Sequence, residues 1–172
     1  MDPDLTVELQ HQRLEAQVGS TARGESAFMS VVLLSLPTDL KDKIGKDLEM
    51  FRVEGGLLIG MTGFTSFVTE KRDGKELLIG DTGSLIDHHF IRKGYAAETL
   101  QAMFEYGFGE LGVGEMFLET YAANLPFRQW MKGLGLGGVE KDEGGVGVEF
   151  RFGRENLEQA KEEAKRGGKW HL

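Results

Sequence analysis

The sequence predicts an α/β fold of the α+β kind, with a single mixed, mostly antiparallel sheet and helices on both of its faces. Three patterns predict it. Apolar and polar side chains alternate through residues 51–87 in three runs separated by turn residues, which is typical of an antiparallel meander. Apolar side chains recur every three to four positions at residues 96–111, which is typical of a helix. Alternation returns at residues 146–152, so a further strand follows the helical part of the chain.

The first 50 residues contain two predicted strands and one predicted helix. Leucine and valine alternate with other residues at 5–9, as they do in a short strand. The apolar run at residues 30–36 predicts a second strand. A helix is predicted over residues 38–48, because Asp39 and Asp42 lie in its first turn, where the helix dipole favours negative charge.

The predicted meander has three strands, at residues 51–53, 57–67 and 76–87. Gly55 and Gly56 join the first two strands. Asp73 and Gly74 join the last two, and this pair favours a tight hairpin because both residues tolerate a positive φ.

The elements predicted after the meander are a helix at 96–111, a strand at 116–122, a short helix at 124–130, a strand at 146–152 and a charged helix at 154–166. Gly112 ends the long helix, and Asn124 is a good N-cap for the short one. No repeat or linker divides the chain, so residues 1–172 are predicted to form a single domain. Trp170 is predicted to dock either on the body of the fold or on the second subunit of a homodimer.

The composition excludes several classes of protein. The 172 residues include 20 basic and 28 acidic side chains, and the net charge of −8 repels polyanions, so no nucleic-acid binding is predicted. The absence of cysteine excludes disulfides, thiol nucleophiles and zinc–thiolate sites. No apolar run is long enough to span a bilayer, and the first residues lack a basic, signal-like start. The expectation is a soluble, cytoplasmic protein with no membrane partner.

A basic glycine turn between a predicted strand and a predicted helix indicates an anion site. Arg92 and Lys93 precede Gly94, and the helical pattern begins directly afterwards. Unpaired amides at a helix start point outward, the helix dipole adds positive potential, and glycine lets the backbone approach a phosphate closely. On this local pattern alone, an ordinary turn with two solvated cations is the alternative.

The same segment resembles the acetyl-CoA pyrophosphate loop of GNAT acyltransferases, whose pattern is Gln or Arg, two variable residues, Gly, one variable residue, then Gly or Ala. Residues 91–96, Ile-Arg-Lys-Gly-Tyr-Ala, follow a strand similar to the family's at 83–90 and precede a similar long helix. Residues 134–136, Leu-Gly-Leu, are similar to the family's Leu-Gly-Phe after a later helix. The resemblance covers about residues 51–152. It is best to the branch that acetylates N-terminal amines of ribosomal proteins and small-molecule amines.

The resemblance implies the GNAT fold, a splayed sheet in which the strands ending near Asp87 and Tyr121 diverge and acetyl-CoA lies in the opening. It implies an N-acetyltransferase in which the amine of a small molecule or peptide attacks the thioester directly in a ternary complex. Main-chain groups of Ile86 and Asp87 would bind the pantetheine, and Asn124 would face it near the thioester. The loop amides would bind the pyrophosphate, from residues Ile91, Arg92, Lys93, Gly94, Tyr95 and Ala96.

The sequence departs from the family pattern at the catalytic acid. The family often protonates the leaving thiolate with a tyrosine or serine on the later helix, and the corresponding positions hold Phe127 and Met131, which donate no proton. The resemblance therefore leaves Tyr121 or a water as the acid. The basic or amide residue at the head of the loop is replaced by Ile91, which removes one side-chain phosphate contact and keeps the backbone donors.

Two carboxylates are candidates for the base. Asp81 matches the carboxylate often found on the branch's strand before the loop and is the first choice; Glu119, on the strand facing the cleft, is the second. An aspartate of ordinary pKa needs partial burial or an intervening water to act as a base. No metal site is predicted, because His88 and His89 are adjacent and would face opposite ways on a strand.

Two other functions stay open. A GNAT-fold module that binds acyl-CoA without catalysis would explain why Phe127 and Met131 replace proton donors. Asp81, Thr82 and Gly83 also resemble the signature of aspartic proteases, in which two such aspartates share a proton, and a homodimer would supply the second. The long helical pattern disagrees with this last alternative, because those proteases are built almost entirely of strands.

Overall fold

The structure, a computed structural model, describes residues 6–35, 49–142, 147–168 and 170. The helices of this part of the chain are α1 (Val7–Ala22), α2 (Tyr95–Gly109), α3 (Leu125–Gly133) and α4 (Arg154–Arg166). Its strands are β1 (Ala27–Leu33), β2 (Arg52–Val53), β3 (Gly56–Arg72), β4 (Lys75–Ile86), β5 (Glu115–Tyr121), β6 (Glu140–Asp142) and β7 (Gly147–Gly153). No helix formed by these residues is both long and apolar enough to cross a membrane.

All seven strands belong to one sheet, whose order is β1-β3-β4-β5-β7-β6, with β2 paired to β3. The pairing is antiparallel throughout except between β4 and β5, which are parallel. Asp73 and Gly74, in the hairpin between β3 and β4, have φ values of 51° and 78°, as a tight hairpin of this kind requires. The predicted mixed, mostly antiparallel sheet is confirmed.

The parallel strands β4 and β5 part after a short paired stretch. Residues 79–81 of β4 pair with residues 115–117 of β5. Among the described strands, β4 continues beyond this point to Ile86 with only β3 as its partner, and β5 continues to Tyr121 with only β7 as its partner. The two strands therefore border an open gap in the sheet, and the predicted splay is confirmed.

One face of the sheet carries the main core, and glycines allow α2 to lie close to it. Phe64 of β3 is fully buried at this contact. A Cβ atom on Gly107 of α2 would lie 2.6 Å from the Phe64 ring, and one on Gly80 of β4 would lie 2.7 Å from the same ring. Only glycine permits this close approach. α3 and α4 bury Met131 and Leu157 in the same cluster.

The strand predicted at residues 5–9 is wrong, because α1 begins there. The Thr6 side chain caps this helix by accepting a hydrogen bond from the Leu9 amide at 3.2 Å, and Glu8 lies in the first turn. These two helix-start signals outweigh an alternation that involves only three apolar residues. The helix predicted over residues 38–48 lies outside the described residues.

The charged C-terminal helix is confirmed with its predicted bounds, and it docks on the body of the fold. Its buried stripe consists of Leu157, Ala160 and Ala164. Lys161 pairs with Glu105 of α2. Trp170, only 9% exposed, packs in the core of its own chain.

The face of the sheet opposite α2 carries an ion-pair network at the start of β5. Glu115 accepts hydrogen bonds from Arg72 of β3 at 2.7 Å and from Arg151 of β7 at 3.2 Å. The hydrogen bonds from Arg72 lower the pKa of Glu115 below its ordinary value, outweighing the opposite effect of burial, and Arg151 adds to the lowering. The Glu115 carboxylate therefore ties β5 to strands that lie on both sides of it.

Replacing Glu115 by glutamine is expected to lower the melting temperature by about 2–4 °C at pH 7. A carboxylate whose pKa is lowered by folding stabilises the fold above its ordinary pKa, and this contribution is lost as the pH falls through the lowered value. At an acidic pH, below the ordinary range of glutamate pKa values, the difference between variant and wild type is therefore expected to be smaller than at pH 7. Thermal unfolding at both pH values measures it, with the exposed Glu76→Gln as control. A difference of equal size at both pH values would contradict this role of the carboxylate.

Candidate active site

The edge of β4 that borders the gap presents main-chain groups that no described strand pairs with. Successive residues of a strand point their N–H and C=O groups to opposite neighbours. On the β5 side, the Leu78 carbonyl accepts the amide of Gly114 at 2.8 Å; on the β3 side, the Asp87 amide donates to the carbonyl of Ile59, also at 2.8 Å. Every second residue counted from Leu78 therefore faces the β5 side of β4. Beyond the paired stretch, these residues are Thr82, Ser84 and Ile86, and their main-chain groups point into the gap.

The structure separates the two residues whose main chains are expected to bind pantetheine. Ile86 presents its N–H and C=O to the gap by the alternation just described. Asp87 instead donates its N–H to Ile59 and accepts the N–H of Phe90 at 2.9 Å. This arrangement argues against Asp87 as a main-chain contact, because the chain turns away from the gap after Ile86.

Ser84 adds a polar group that the sequence patterns do not single out. Its Oγ is buried and has no hydrogen-bond partner among the described residues. A buried hydroxyl without a partner costs about 1–3 kcal/mol, so native structures rarely leave one unsatisfied. The only sequence signal is a lone hydroxyl on a strand that leads to the glycine loop. A ligand lying along the gap is able to supply the missing partner.

The loop between the short 3-10 helix His88–Phe90 and α2 exposes a row of amides. Arg92 and Gly94 have positive φ values of 61° and 88°, so the chain reverses its curvature twice before α2 begins. Within the described part of the chain, no acceptor takes the amides of Ile91, Arg92, Gly94, Tyr95 and Ala96. Lys93, in the same turn, has a partner of its own. Since the N-terminus of α2 adds its dipole here, the loop has the properties of an anion site.

Asp81 lies where β4 and β5 part. Opposite it, the register of β3 shifts between Phe64 and Ser66, which leaves Thr65 as a bulge. The Thr65 Oγ1 donates a hydrogen bond to Asp81 Oδ2 at 2.7 Å. Bulges often re-aim side chains beside active sites, and this one holds a half-buried carboxylate at the closed end of the gap.

The candidate acid and the second candidate base lie on the same face of the sheet as Asp81. Phe117 pairs with Asp81, and the pleat places Glu119 and Tyr121 on the face that Phe117 occupies. The strand rise puts Glu119 about 7 Å and Tyr121 about 13 Å beyond the Asp81 level. Tyr121 is also 75% exposed. This spacing argues against Asp81 and Tyr121 acting as base and acid on one reacting group.

Asn124 borders the open end of the gap from the β5 side. Its Oδ1 accepts the amide of Phe127 at 3.4 Å and so caps α3, which confirms the predicted N-cap. Its Nδ2 donates to Thr120 Oγ1 at 2.8 Å. Both ends of the side chain are thereby oriented, which fixes where α3 begins relative to the end of β5.

Replacing Asn124 by alanine is expected to lower the free energy of unfolding by about 1 kcal/mol, because the cap of α3 is lost. Asn124→Asp keeps the acceptor and is expected to stay within about 0.5 kcal/mol of wild type. Urea unfolding of the three proteins measures the difference. Equal stability of the alanine and aspartate variants would show that the cap contributes nothing.

The two positions at which the family pattern often has a proton donor are part of the core. Met131 is fully buried. Phe127 is partly buried and meets the Phe150 ring edge-on, with 5.5 Å between centroids. Neither side chain carries a proton that it can donate, so α3 supplies no acid at these positions.

The prediction that His88 and His89 face opposite ways is wrong. They belong to a 3-10 helix and not to a strand, and their ring centroids are 3.8 Å apart. Asp87 caps this helix by accepting the amide of His89 at 3.0 Å. Burial raises the pKa of Asp87, but the hydrogen bonds from the His89 amide and ring, with the two nearby imidazoles, outweigh it and leave the pKa below its ordinary value. The local cap decides the conformation of these three residues.

The sheet opens between two parallel strands, with unpaired amides beyond one end of the opening and a held carboxylate at the other. This arrangement is the one expected of an acyltransferase that uses an acyl-CoA. Residues 8–137 match the family profile described as the acetyltransferase (GNAT) domain. Because the match covers more than half of the chain, the protein belongs to the GNAT acetyltransferase family. No curated protein matches the chain in sequence.

Solved structures share this fold at low sequence identity. Apo FdhC, described as a nucleotide-linked sugar GNAT, has a TM-score of 0.65 at 14% identity, covering 99% of this chain and 79% of that chain. The ribosomal-protein-S5-alanine acetyltransferase from Vibrio fischeri has a TM-score of 0.57 at 15% identity, covering 91% and 79%. An acetyltransferase from Salmonella typhimurium, described as modifying the N-terminal serine of a 50S ribosomal subunit protein, has a TM-score of 0.57 at 9% identity, covering 87% and 76%. These likenesses confirm the GNAT fold.

The resemblance of Asp81, Thr82 and Gly83 to an aspartic-protease signature has no structural support. The three residues lie inside strand β4, and the 15-residue helix α2 follows in the chain. Protease lobes of that kind are built almost entirely of strands. The three residues lie within the part of the chain that matches the acetyltransferase family, so a protease is not needed to explain them.

Proposed function

We propose that the protein is an acetyl-CoA-dependent N-acetyltransferase acting on a primary amine of a small molecule or of a protein N-terminus. The observation that carries this proposal is the gap beyond Asp81, which leads to the unpaired amides around Gly94. A cosubstrate with a diphosphate at one end of a long arm and a thioester at the other requires both features. The amine attacks the thioester directly in a ternary complex. Because this route forms no acyl-enzyme, it needs no cysteine nucleophile, and the chain has no cysteine.

The cosubstrate lies along β4 as an additional strand. The pyrophosphate binds at the N-terminus of α2, where Arg92 and Lys93 add positive charge. β4 rises roughly 17 Å from Ile86 to Asp81, a length that an extended pantetheine arm spans. The pantetheine amides bond to the main chains of Ile86 and Ser84, and the buried Ser84 hydroxyl gains a partner. The pyrophosphate donors are the amides of Ile91, Arg92, Gly94, Tyr95 and Ala96.

The acyl transfer takes place at the closed end of the gap. Asp81, oriented by Thr65, accepts the proton of the acceptor ammonium through a water. The amine nitrogen then bonds to the acetyl carbon, and the Thr82 amide, which faces the gap, donates to the resulting oxyanion. The carbon–sulfur bond breaks, and a water passes the surplus proton of the former amine nitrogen to the departing thiolate, which leaves the neutral amide and the free thiol. A thiolate of moderate basicity leaves without a strong acid, which agrees with the buried Met131.

The acceptor is proposed to be a cationic amine with an apolar part. The face that holds Asp81 also carries Glu119 and Glu149, which lie directly opposite each other on β5 and β7. The net charge of −8 attracts cations at long range. Further along the same sheet, Leu14, Val18, Phe28 and Met61 are among the residues that line an apolar groove of about 400 Å³ between α1 and β1. Peptide N-termini and amphipathic small amines both combine these two properties.

The remaining proposals concern the setting of the enzyme. Residues 1–172 are proposed to act as one catalytic domain in the cytoplasm, where cell fractionation is expected to find the protein. Trp170 packs in its own chain and so supplies no contact for a homodimer. Light scattering after size-exclusion chromatography tests the assembly state.

Calorimetric titration with acetyl-CoA, together with a free-thiol release assay across a panel of amines, tests the proposed function. Saturable acetyl-CoA binding and amine-dependent thiol release are expected. The panel includes peptides with N-terminal serine or alanine, because two structural neighbours are named for such ribosomal acceptors. Binding without turnover on any amine would support the inactive acyl-CoA-binding module, which Phe127 and Met131 favour. Absence of binding would contradict both functions.

A further inference from the structure

The turn that follows β4 brings three potential metal ligands together outside the proposed active site. Asp87 Oδ1 lies 2.8 Å from Nδ1 of His89 and 3.5 Å from Nδ1 of His88. One ligand atom from each of the three residues lies within 4.8 Å of the others. The cap that holds the 3-10 helix therefore also gathers two imidazoles around one carboxylate.

The separations agree with the ligand spacing around a small divalent ion. Ligands about 2.1 Å from a metal stand about 3.0 Å apart in an octahedron and about 3.4 Å apart in a tetrahedron. The two distances to Asp87 Oδ1 bracket these values. The third separation, between the two imidazole nitrogens, is at most 4.8 Å, so one ion requires the two rings to turn toward a common point.

The surroundings hold the ligands in place and leave a path for the ion. Phe51 meets the His89 ring at 5.5 Å between centroids and packs edge-on against the buried Phe90. The His89 and Asp87 side chains are 28% and 34% exposed, whereas that of His88 is 73% exposed. An ion enters from the His88 side, and three protein ligands leave at least one coordination position open to water.

We propose that Asp87, His88 and His89 form a binding site for a divalent transition-metal ion of the zinc, nickel or copper type. Two imidazoles and one carboxylate favour these ions over magnesium and calcium, which prefer oxygen ligands alone. With the ion bound, both imidazoles bind it through Nδ1 and carry their hydrogen on Nε2, so the ion replaces the hydrogen bond that the His89 ring donates to Asp87 without the ion. The site does not depend on the proposed acyl transfer, because its three ligands are not used in that mechanism.

An ion in this site would fix the start of the anion-binding loop. The 3-10 helix ends at Phe90, and the exposed amides begin at the next residue. Tying Asp87 to both imidazoles holds the short helix against the end of β4. The bound ion also adds positive charge beside the loop in a protein of net charge −8.

Equilibrium dialysis of the untagged, chelator-treated full chain against Zn²⁺ tests the proposal, with Mg²⁺ as the comparison ion. One Zn²⁺ per chain with a micromolar or lower Kd is expected, and no Mg²⁺ at the same concentration. His88→Ala and His89→Ala are each expected to weaken Zn²⁺ binding at least tenfold, whereas His11→Ala on α1 leaves it unchanged. His88 is mostly exposed, so its variant keeps the fold even where that of His89 does not.

Nitrogen-detected NMR of the imidazoles identifies the ligand atoms. On adding Zn²⁺, the Nδ1 resonances of His88 and His89 are expected to shift, while those of His11 stay in place. Failure of the wild type to bind Zn²⁺, or unchanged binding in His88→Ala, would overturn the proposal. Neither outcome decides whether the protein binds acetyl-CoA, which is measured separately.

Discussion

Replacing Gly94 by valine is expected to weaken acetyl-CoA binding by well over tenfold while the chain still folds. Gly94 has a φ of 88°, a conformation that is strained for a β-branched residue. Among the described residues, no atom lies within 4 Å of a Cβ at this position, so the side chain projects into open space beside the amides proposed to bind the phosphates. The strain is expected to turn the amides of the loop, and the side chain is expected to crowd the phosphate. Both effects lower the affinity. A tenfold loss corresponds to about 1.4 kcal/mol.

Gly112→Val is the matched control for this variant. Gly112 follows the other end of α2 and has a φ of 69°, and a Cβ atom there would likewise lie more than 4 Å from every described neighbour. Both variants are expected to lose a similar amount of stability, about 1–2 kcal/mol, to backbone strain, but only the Gly94 variant touches the anion site. Calorimetric titration with acetyl-CoA compares the two. Equal affinities in two folded variants would remove the pyrophosphate site from this loop.

Replacing Asp81 by asparagine is expected to lower kcat roughly 100-fold or more, because general-base catalysis contributes about 10²–10⁴-fold. Asparagine fills the same space and still accepts the hydrogen bond from Thr65, so the bulge is kept. The dissociation constant of acetyl-CoA is expected to stay within about twofold of wild type, since its phosphates are proposed to bind at the far end of the gap. The loss therefore appears in turnover and not in cosubstrate binding.

Asp73→Asn in the β3–β4 hairpin is the control for Asp81→Asn. Asp73 has a φ of 51°, which asparagine adopts readily, and it lies in the turn at the opposite end of β4 from the anion-binding loop. Free-thiol release with a saturating amine measures both variants. If Asp81→Asn keeps full activity and Glu119→Gln loses it, the base is Glu119. If both keep full activity, neither carboxylate is the base.

Much of the fold follows from local signals in the sequence. Asp73 and Gly74 predict their hairpin because few residue pairs tolerate two positive φ values. The helix at 154–166 is predicted with its observed bounds because its charge pattern is continuous. The first helix is missed because a short alternation conceals the cap at Thr6. Where strand and helix patterns are of similar strength, hydrogen bonds such as this cap decide the structure, and the spacing of apolar residues does not reveal them.

The candidate site is predictable only in part. The position of the glycine loop follows from charge and glycine placement, but the parting of β4 and β5 is expected only from the family resemblance. The position of Asp81 beside the Thr65 bulge depends on register, which no short segment determines. His88 and His89 lie side by side because Asp87 caps a 3-10 turn, a local choice that a strand pattern conceals. The parting of the strands, the position of Asp81 and the arrangement of the histidines depend on strand pairing and helix capping, which the residue types alone do not predict.

The crystal structure of the acetyl-CoA complex is the most direct test of the central claim. The claim predicts the diphosphate within hydrogen-bond distance of the Gly94 and Tyr95 amides. It also predicts the pantetheine paired with Ser84 and Ile86, and the thioester beside Asp81. A diphosphate bound elsewhere, or a cosubstrate outside the gap between β4 and β5, would contradict it.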